Sequence, residues 1–292
     1  MTRTLIAFVL LSSLALAQAP PPAKQNPSPM TETVRRHERV TKTEVKGQRW
    51  TLSIGTLLLP DTARLRDTIP LYIHFHGAPW LAEWSVQQHD RHAAIVTAQL
   101  GSGSGVYGQP FKDLAKFAAL LDEAAKALSP NRPVRFHPIV LSGWSAGYGA
   151  IREIVRNRDN WPRIDAVLLE DGIHTSYVPD GQPGPLDPAG LQPFIEFARE
   201  AVAGRKTFLI THSEIYPGTF ASTTECSEFL LKELGITVRP VIKWGPLGMQ
   251  QISDARSGKL RVMGFAGNTA PDHVDHIHAT KNWLKVLGRM GK

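Results

Sequence analysis

Short apolar runs alternate with stretches of helical period along most of the chain. The runs fall at residues 71–75, 93–98, 134–141, 164–169, 207–210 and 260–265. Between them, apolar residues recur every three or four positions at 111–128, 146–158, 190–203, 223–234 and 274–287, the spacing that gives a helix one buried stripe. Strands that are apolar on both faces need cover on both sides, and helices between them supply the crossovers. The pattern therefore predicts an α/β fold with a mostly parallel, doubly wound sheet. Ahead of it, alternating segments at 33–45 and 49–58, joined near Gly47, predict an antiparallel N-terminal hairpin. Segments 171–193 and 243–259 are rich in Pro and Gly and lack periodicity, so both are expected to be loop insertions over the site.

Bulk properties narrow the picture. The chain has 292 residues, 42% of them hydrophobic, enough for one large domain expected over residues 31–292. Residues 1–17 open with Arg3, continue through an apolar stretch and end with small residues at Ala15 and Ala17. That is the form of a secretory signal peptide cleaved after Ala17, with a second possible cut after Ala19. Its apolar core is too short to span a bilayer, so a secreted or periplasmic protein without stable membrane insertion is expected. Residues 18–30 are proline-rich and polar and predict a disordered linker. Cys226 is the only cysteine, so no internal disulfide can form, and a buried thiol is expected. The net charge of +7 comes from scattered Lys and Arg without interleaved aromatic platforms. A solvated basic surface follows, and nucleic acid is not an expected partner.

Chemistry concentrates around one serine. Gly143, Trp144, Ser145, Ala146 and Gly147 form G-x-S-x-G between the apolar run ending at Leu141 and the helical run that begins near Tyr148. A serine on a sharp strand-to-helix turn is lifted clear of the backbone, and only glycine-sized neighbours allow so tight a bend. A serine hydroxyl is a weak nucleophile, so it needs a base within hydrogen-bonding reach and a third group to orient that base. His273, His276 and His278 crowd the start of the last helical stretch. Val274, Ile277, Leu284 and Leu287 trace its buried stripe, and His273 falls at its N-terminal edge. His273 is therefore the expected base and His276 the alternate. Two carboxylates follow strands at the carboxyl edge, Asp171 after 166–169 and Glu214 after 208–210. Asp171 is preferred as the acid because the Asp-Gly turn at Gly172 can present it from a tight corner; Glu214 is the alternate, and Glu170 is expected on the other face of the strand.

Over residues 71–287 the chain resembles the α/β-hydrolase superfamily, and within it a secreted serine esterase. The likeness rests on the strand and helix order, the elbow at Ser145, a His-Gly segment after an early strand and a late histidine before the last helix. It implies the chain order nucleophile, acid, histidine. It also implies an oxyanion hole from the N–H of Ala146 and a second N–H from the segment His74, Phe75, His76, Gly77, Ala78, with Ala78 preferred and Gly77 the alternate. Trp80, Trp84 and Trp144, with His76, lie close enough in sequence to wall a substrate pocket. The implied activity is hydrolysis of a carboxylic ester, less readily an amide, in a small molecule or polymer, by way of an acyl-enzyme and without a cofactor. Oligomeric state is not legible from the sequence.

Three other patterns compete. Gly103, Gly105 and Gly108 spell G-x-G-x-x-G, but the helical stretch at 111–128 lies where a second strand and acidic residue should be, so a flexible loop lining the cleft is expected instead. His74 and His76, together with His273, Asp275, His276 and His278, could serve a metal-dependent hydrolase. A secreted binding module that has lost its activity is the third alternative.

Overall fold

The computed structural model describes residues 35–291. The expected signal peptide and linker lie outside the described residues. Ten strands form one sheet: β1 (Gly47–Thr51), β2 (Thr56–Pro60), β3 (Thr68–Phe75), β4 (Ala94–Ala98), β5 (Arg135–Trp144), β6 (Ala166–Glu170), β7 (Thr207–His212), β8 (Arg239–Trp244), β9 (Gln250–Ser257) and β10 (Leu260–Phe265). Their spatial order is β1-β2-β4-β3-β5-β6-β7-β10-β9-β8. The centre, β4-β3-β5-β6-β7-β10, is parallel throughout, whereas β1 and β2 pair antiparallel at one edge and β9 and β8 at the other. This is the doubly wound architecture with an N-terminal hairpin that the hydrophobic pattern predicts.

Helices α1 (Pro79–His89), α2 (Ser104–Gly108), α3 (Lys116–Leu128), α4 (Tyr148–Arg156), α5 (Gln192–Val202), α6 (Thr223–Glu233), α7 (Ala270–His278) and α8 (Thr280–Met290) connect and cover the strands. Alternation along β6 shows how the core divides. Val167 and Leu169 join one apolar cluster with Leu120, Ile151, Phe197 and Leu230 from α3, α4, α5 and α6. Leu168 joins the other with Val86 of α1 and Trp283, Leu284 and Leu287 of α8. Removing a side chain such as fully buried Ile151 would cost about 2–5 kcal/mol, because the packed faces of sheet and helix cannot close the gap.

Several expectations need correction. The hairpin turns at residues 52–55, where Gly55 has φ 79°, and residues 35–46 form no strand. Gly47 lies inside β1, and a Cβ there would meet the Leu59 carbonyl oxygen at 2.3 Å, so the glycine serves close strand approach and not the turn. Segment 243–259 is no overhanging loop. Gly245, Pro246 and Gly248 make the turn into β9, whose run of Gln, Ser, Asp and Arg hides its strand character in the sequence. Asp254 of β9 offsets its burial by pairing with Arg261 (2.8 Å) and Arg256 (3.1 Å). The stretch 111–128 is a short 3-10 turn followed by α3, and the last helical stretch breaks at Ala279 into α7 and α8. Cys226 is buried as expected, and burial pushes its thiol up to about 12.

Candidate active site

Three neighbouring strands, β3, β5 and β6, end on residues in left-handed backbone, and none of the three is glycine: His76 (φ 70°), Ser145 (φ 48°) and Asp171 (φ 46°). Such conformations cost of order 1–3 kcal/mol each and persist only where the surroundings enforce them. Close packing supplies that enforcement. A Cβ on Gly147 would lie 2.0 Å from the Phe75 carbonyl oxygen, and one on Gly172 would lie 2.4 Å from that of Ser145. The bend at the acid therefore falls on Asp171 itself, while Gly172 lets this loop press against the nucleophile's backbone.

Asp171 is fully enclosed and fully bonded. Its Oδ2 accepts from His273 Nδ1 (2.7 Å) and Ser213 Oγ (2.7 Å), and its Oδ1 accepts from the Ser213 N–H (2.8 Å) and Thr223 Oγ1 (2.9 Å). Burial alone would raise its pKa. The imidazoles of His276 and His273 and these donated bonds outweigh burial and hold the carboxyl well below the usual range, so it stays ionised. Accepting at Nδ1–H fixes the tautomer of His273 and leaves Nε2 as the basic nitrogen. Ser145 and His273 line one cavity of about 320 Å³, and Asp171 forms part of its wall.

Position 273 is held from three sides. The Trp144 indole N–H donates to the His273 carbonyl (3.0 Å), and its ring stacks on the imidazole with centroids 4.6 Å apart. His76 also stacks on Trp144, at 5.1 Å. Trp144, expected as a pocket wall, thus stacks with both imidazoles and supports the catalytic candidate His273. Thr269 and Asp272 cap α7 reciprocally, which places His273 within the first turns of the helix and not in the preceding loop. The described N-terminal arm then clasps α7: Arg35 and Arg39 bond Asp275, Arg35 also bonds Asp272 (2.7 Å), and the Val40 N–H donates to His278 Nδ1 (3.0 Å).

Ser145 opens onto a second, larger cavity of about 770 Å³, shared with Ala146 and lined by residues of the 102–104 loop, α4 and the 174–181 segment. The insertion at 171–193 therefore does overhang the site. The G-x-G-x-x-G stretch, with Ser102 before it, contributes Gly103 and Ser104 to the wall and forms the five-residue helix α2, which ends at the last glycine where a dinucleotide fingerprint would begin one.

Other expected residues sit elsewhere. Glu214 receives the Gly267 N–H (3.2 Å) and donates its own N–H to the Gly267 carbonyl (2.9 Å), bracing the loop before α7. His276 is buried and hydrogen-bonded to Thr211 Oγ1 of β7 (2.8 Å), whereas Asp171 bonds His273. From the His-Gly segment it is His76 that lines the larger cavity, beside Ala146. The Gly77 N–H donates to Gln99 Oε1 (2.7 Å), and Ala78 is the N-cap of α1. Trp80 meets His278 edge-on (6.4 Å), and Trp84 packs with the α1/α8 cluster under Lys281. The histidines proposed for a metal do not converge: His74 is bonded to Ser142 Oγ (2.8 Å) and the His76 carbonyl (2.9 Å), and His276, His278 and His273 each have a different partner. Among the described residues, the one group with metal-ligating geometry is His37, Asp272 and Asp275, whose carboxylates Arg35 and Arg39 already neutralise.

Sequence reasoning missed His174, Tyr148, Arg152 and Phe220, which line the larger cavity, and Ser213 and Thr223, which bond the acid. Spacing could have found two of them, since positions 145, 148 and 152 share one face of a helix. Nothing in the sequence marks Ser213.

No protein-family model matches the chain, and no curated protein does. Among solved structures it is similar to a cold-adapted esterase from an Arctic intertidal metagenomic library, with TM-score 0.46 and 14% identity over 86% of this chain and 98% of that one. It is similar also to carboxyl esterase 2 of the mycorrhizal fungus Tuber melanosporum, with TM-score 0.46 and 14% identity over 85% and 86% of the two chains. A third is an S-formylglutathione hydrolase of Agrobacterium tumefaciens, with TM-score 0.43 and 10% identity over 81% and 89%. None of these likenesses assigns a residue or a substrate to this chain.

Proposed function

We propose that the protein is an exported serine hydrolase that cleaves a carboxylic ester through Ser145, His273 and Asp171. The observation that carries this is the Asp171–His273 bond at 2.7 Å beside a serine in left-handed backbone on the same cavity. Ser145 Oγ attacks the ester carbonyl as His273 Nε2 takes its proton, and Asp171 stabilises the imidazolium that results. The Ala146 N–H stands next to the nucleophile to hold the oxyanion. His273 then returns the proton to the departing alkoxide, and a water activated by the same nitrogen hydrolyses the acyl-enzyme. No step calls for a cofactor. Export rests on the signal-like residues 1–17.

A fluorophosphonate probe tests the mechanism: one adduct per chain on Ser145, absent from Ser145→Ala, is expected. A panel of nitrophenyl esters beside a nitroanilide should show ester turnover well above amide turnover. An unlabelled, fully folded protein would mark an inactive binding module. Ester hydrolysis abolished by a chelator would shift the chemistry to a metal.

A further inference from the structure

We infer that this site takes an ester whose acyl part is polar and anionic and whose alcohol part is apolar, with Arg152 receiving the acyl group's negative charge; the inference rests on the serine mechanism above. Ser145, His174 and Phe220 are shared by two cavities of different character, the larger mixed and the smaller mostly apolar. The larger holds Ala146 but not His273, and its wall carries hydroxyls, Tyr148 and Arg152. The smaller holds His273 and Asp171 and is walled by Ile215, Pro217 and Ala270, none of which reaches the larger. Chemistry decides which cavity takes which half of the substrate. When the acyl C–O bond breaks, its electron pair goes to the alkoxy oxygen, which accepts the proton His273 took from Ser145, so the alcohol lies on the His273 side. The acyl group, bonded to Ser145 and held by Ala146, extends into the other cavity.

Arg152 gives that cavity its charge. Glu153 accepts from Arg152 Nε (3.1 Å) and also from Arg156 Nε (2.9 Å), so one carboxylate serves two guanidiniums and a positive charge is left over. The Arg152 guanidinium lies 5.5 Å from the Tyr148 ring centroid, a platform that limits its freedom. Asp180, the one carboxylate on this wall, is exposed, so water screens it. Ser145 stands just ahead of α4 and Arg152 lies within it, and both line this cavity, so an acyl chain bonded to Ser145 and ending in a carboxylate can meet the guanidinium across it. The half-ester of a dicarboxylic acid has that form.

Three esters test the assignment on the full chain: monomethyl adipate, neutral methyl hexanoate, and 6-acetoxyhexanoate, which carries its charge on the alcohol side. For monomethyl adipate, kcat/KM is expected to exceed both others by roughly tenfold or more at low ionic strength, and added salt should shrink the margin. Arg152→Gln should bring the adipate and hexanoate esters to within about twofold of each other, and Arg152→Lys should restore part of the preference. Equal rates on the two methyl esters, or preference for 6-acetoxyhexanoate, would overturn the inference. If Arg152→Gln does not fold, the wild-type ratio and its salt dependence still decide. Fluorophosphonate labelling without ester preference defeats only this assignment, whereas neither labelling nor hydrolysis of any ester defeats the serine mechanism itself.

Discussion

Glu170 and Asp171 are adjacent in the chain, equally buried, and opposite in chemistry. Asp171 faces the cleft, receives four hydrogen bonds and remains a carboxylate. Glu170 points to the α7/α8 side of the sheet, where neither oxygen has a hydrogen-bond partner and His74 Nδ1 lies 3.9 Å away. Burial lifts its pKa to about 8, and the nearby Thr280 hydroxyl donates instead to the Ile277 carbonyl (2.7 Å). The strand geometry sets the difference: successive residues project to opposite faces, and only the cleft face has preplaced donors from Ser213 and Thr223. An ionised buried acid is therefore supported on one side, and a neutral one tolerated on the other.

The cleft side is broken most severely at the nucleophile. Ser145→Ala should lower kcat on the order of 10⁴-fold or more in a nitrophenyl ester assay while thermal melting stays near wild type, because triad members act as a unit. Retention of most activity would remove Ser145 from the mechanism. Asp171→Asn comes next, with a loss of about 10³–10⁴-fold in kcat, since a neutral amide no longer fixes the His273 tautomer or offsets the imidazolium. Glu214→Gln, assayed beside it, should change kcat far less, and a comparable loss there would reassign the acid.

Legibility follows the same division. The central parallel strands, most of the helices and the elbow could be read from the sequence because apolar runs and glycines report burial and tight bends directly. Ser145, Asp171 and His273 could be named because residue type and order constrain them. The rest depended on contacts between distant segments. The 2.7 Å bond from Ser213 to Asp171, the indole of Trp144 under His273 and the clasp of Arg35 on α7 leave no periodic trace. Strands β8 and β9 were illegible for another reason: β9 is mostly polar, and the apolar Val241, Ile242 and Trp244 of β8 are broken up by Pro240 and Lys243, so neither strand shows the apolar run of a buried one.

On the buried side, histidines set the acid limit of stability. Burial holds both His74 and His276 down at about 4. Unfolded imidazoles take up protons below about 6.5 whereas these do not until near 4, so the unfolded state binds more protons in that window and stability falls as pH drops through it. Each contributes a loss of up to about 3 kcal/mol. Melting temperature should fall progressively from pH 6.5 to 4, and His276→Asn should flatten the fall. A wild-type melting temperature that does not change over this range would show that these rings are hydrated.

Glu170→Gln has the smallest effect on activity and the sharpest sign in stability. Because the folded carboxyl keeps its proton up to about pH 8 and the unfolded one loses it near 4.5, the folded state binds the extra proton between these values. Stability from this group is thus present at low pH and lost as pH rises toward 8, by an amount on the order of a few kcal/mol. Glutamine has the shape of the protonated acid and cannot titrate, so the variant should match wild type in melting temperature at pH 5 and exceed it at pH 8.5. Kinetics should separate the two neighbours as well: Glu170→Gln should retain kcat within a few-fold where Asp171→Asn loses several orders of magnitude. A variant that instead loses stability equally at both pH values would mean that Glu170 is ionised in the fold and that the contrast with Asp171 is one of geometry alone.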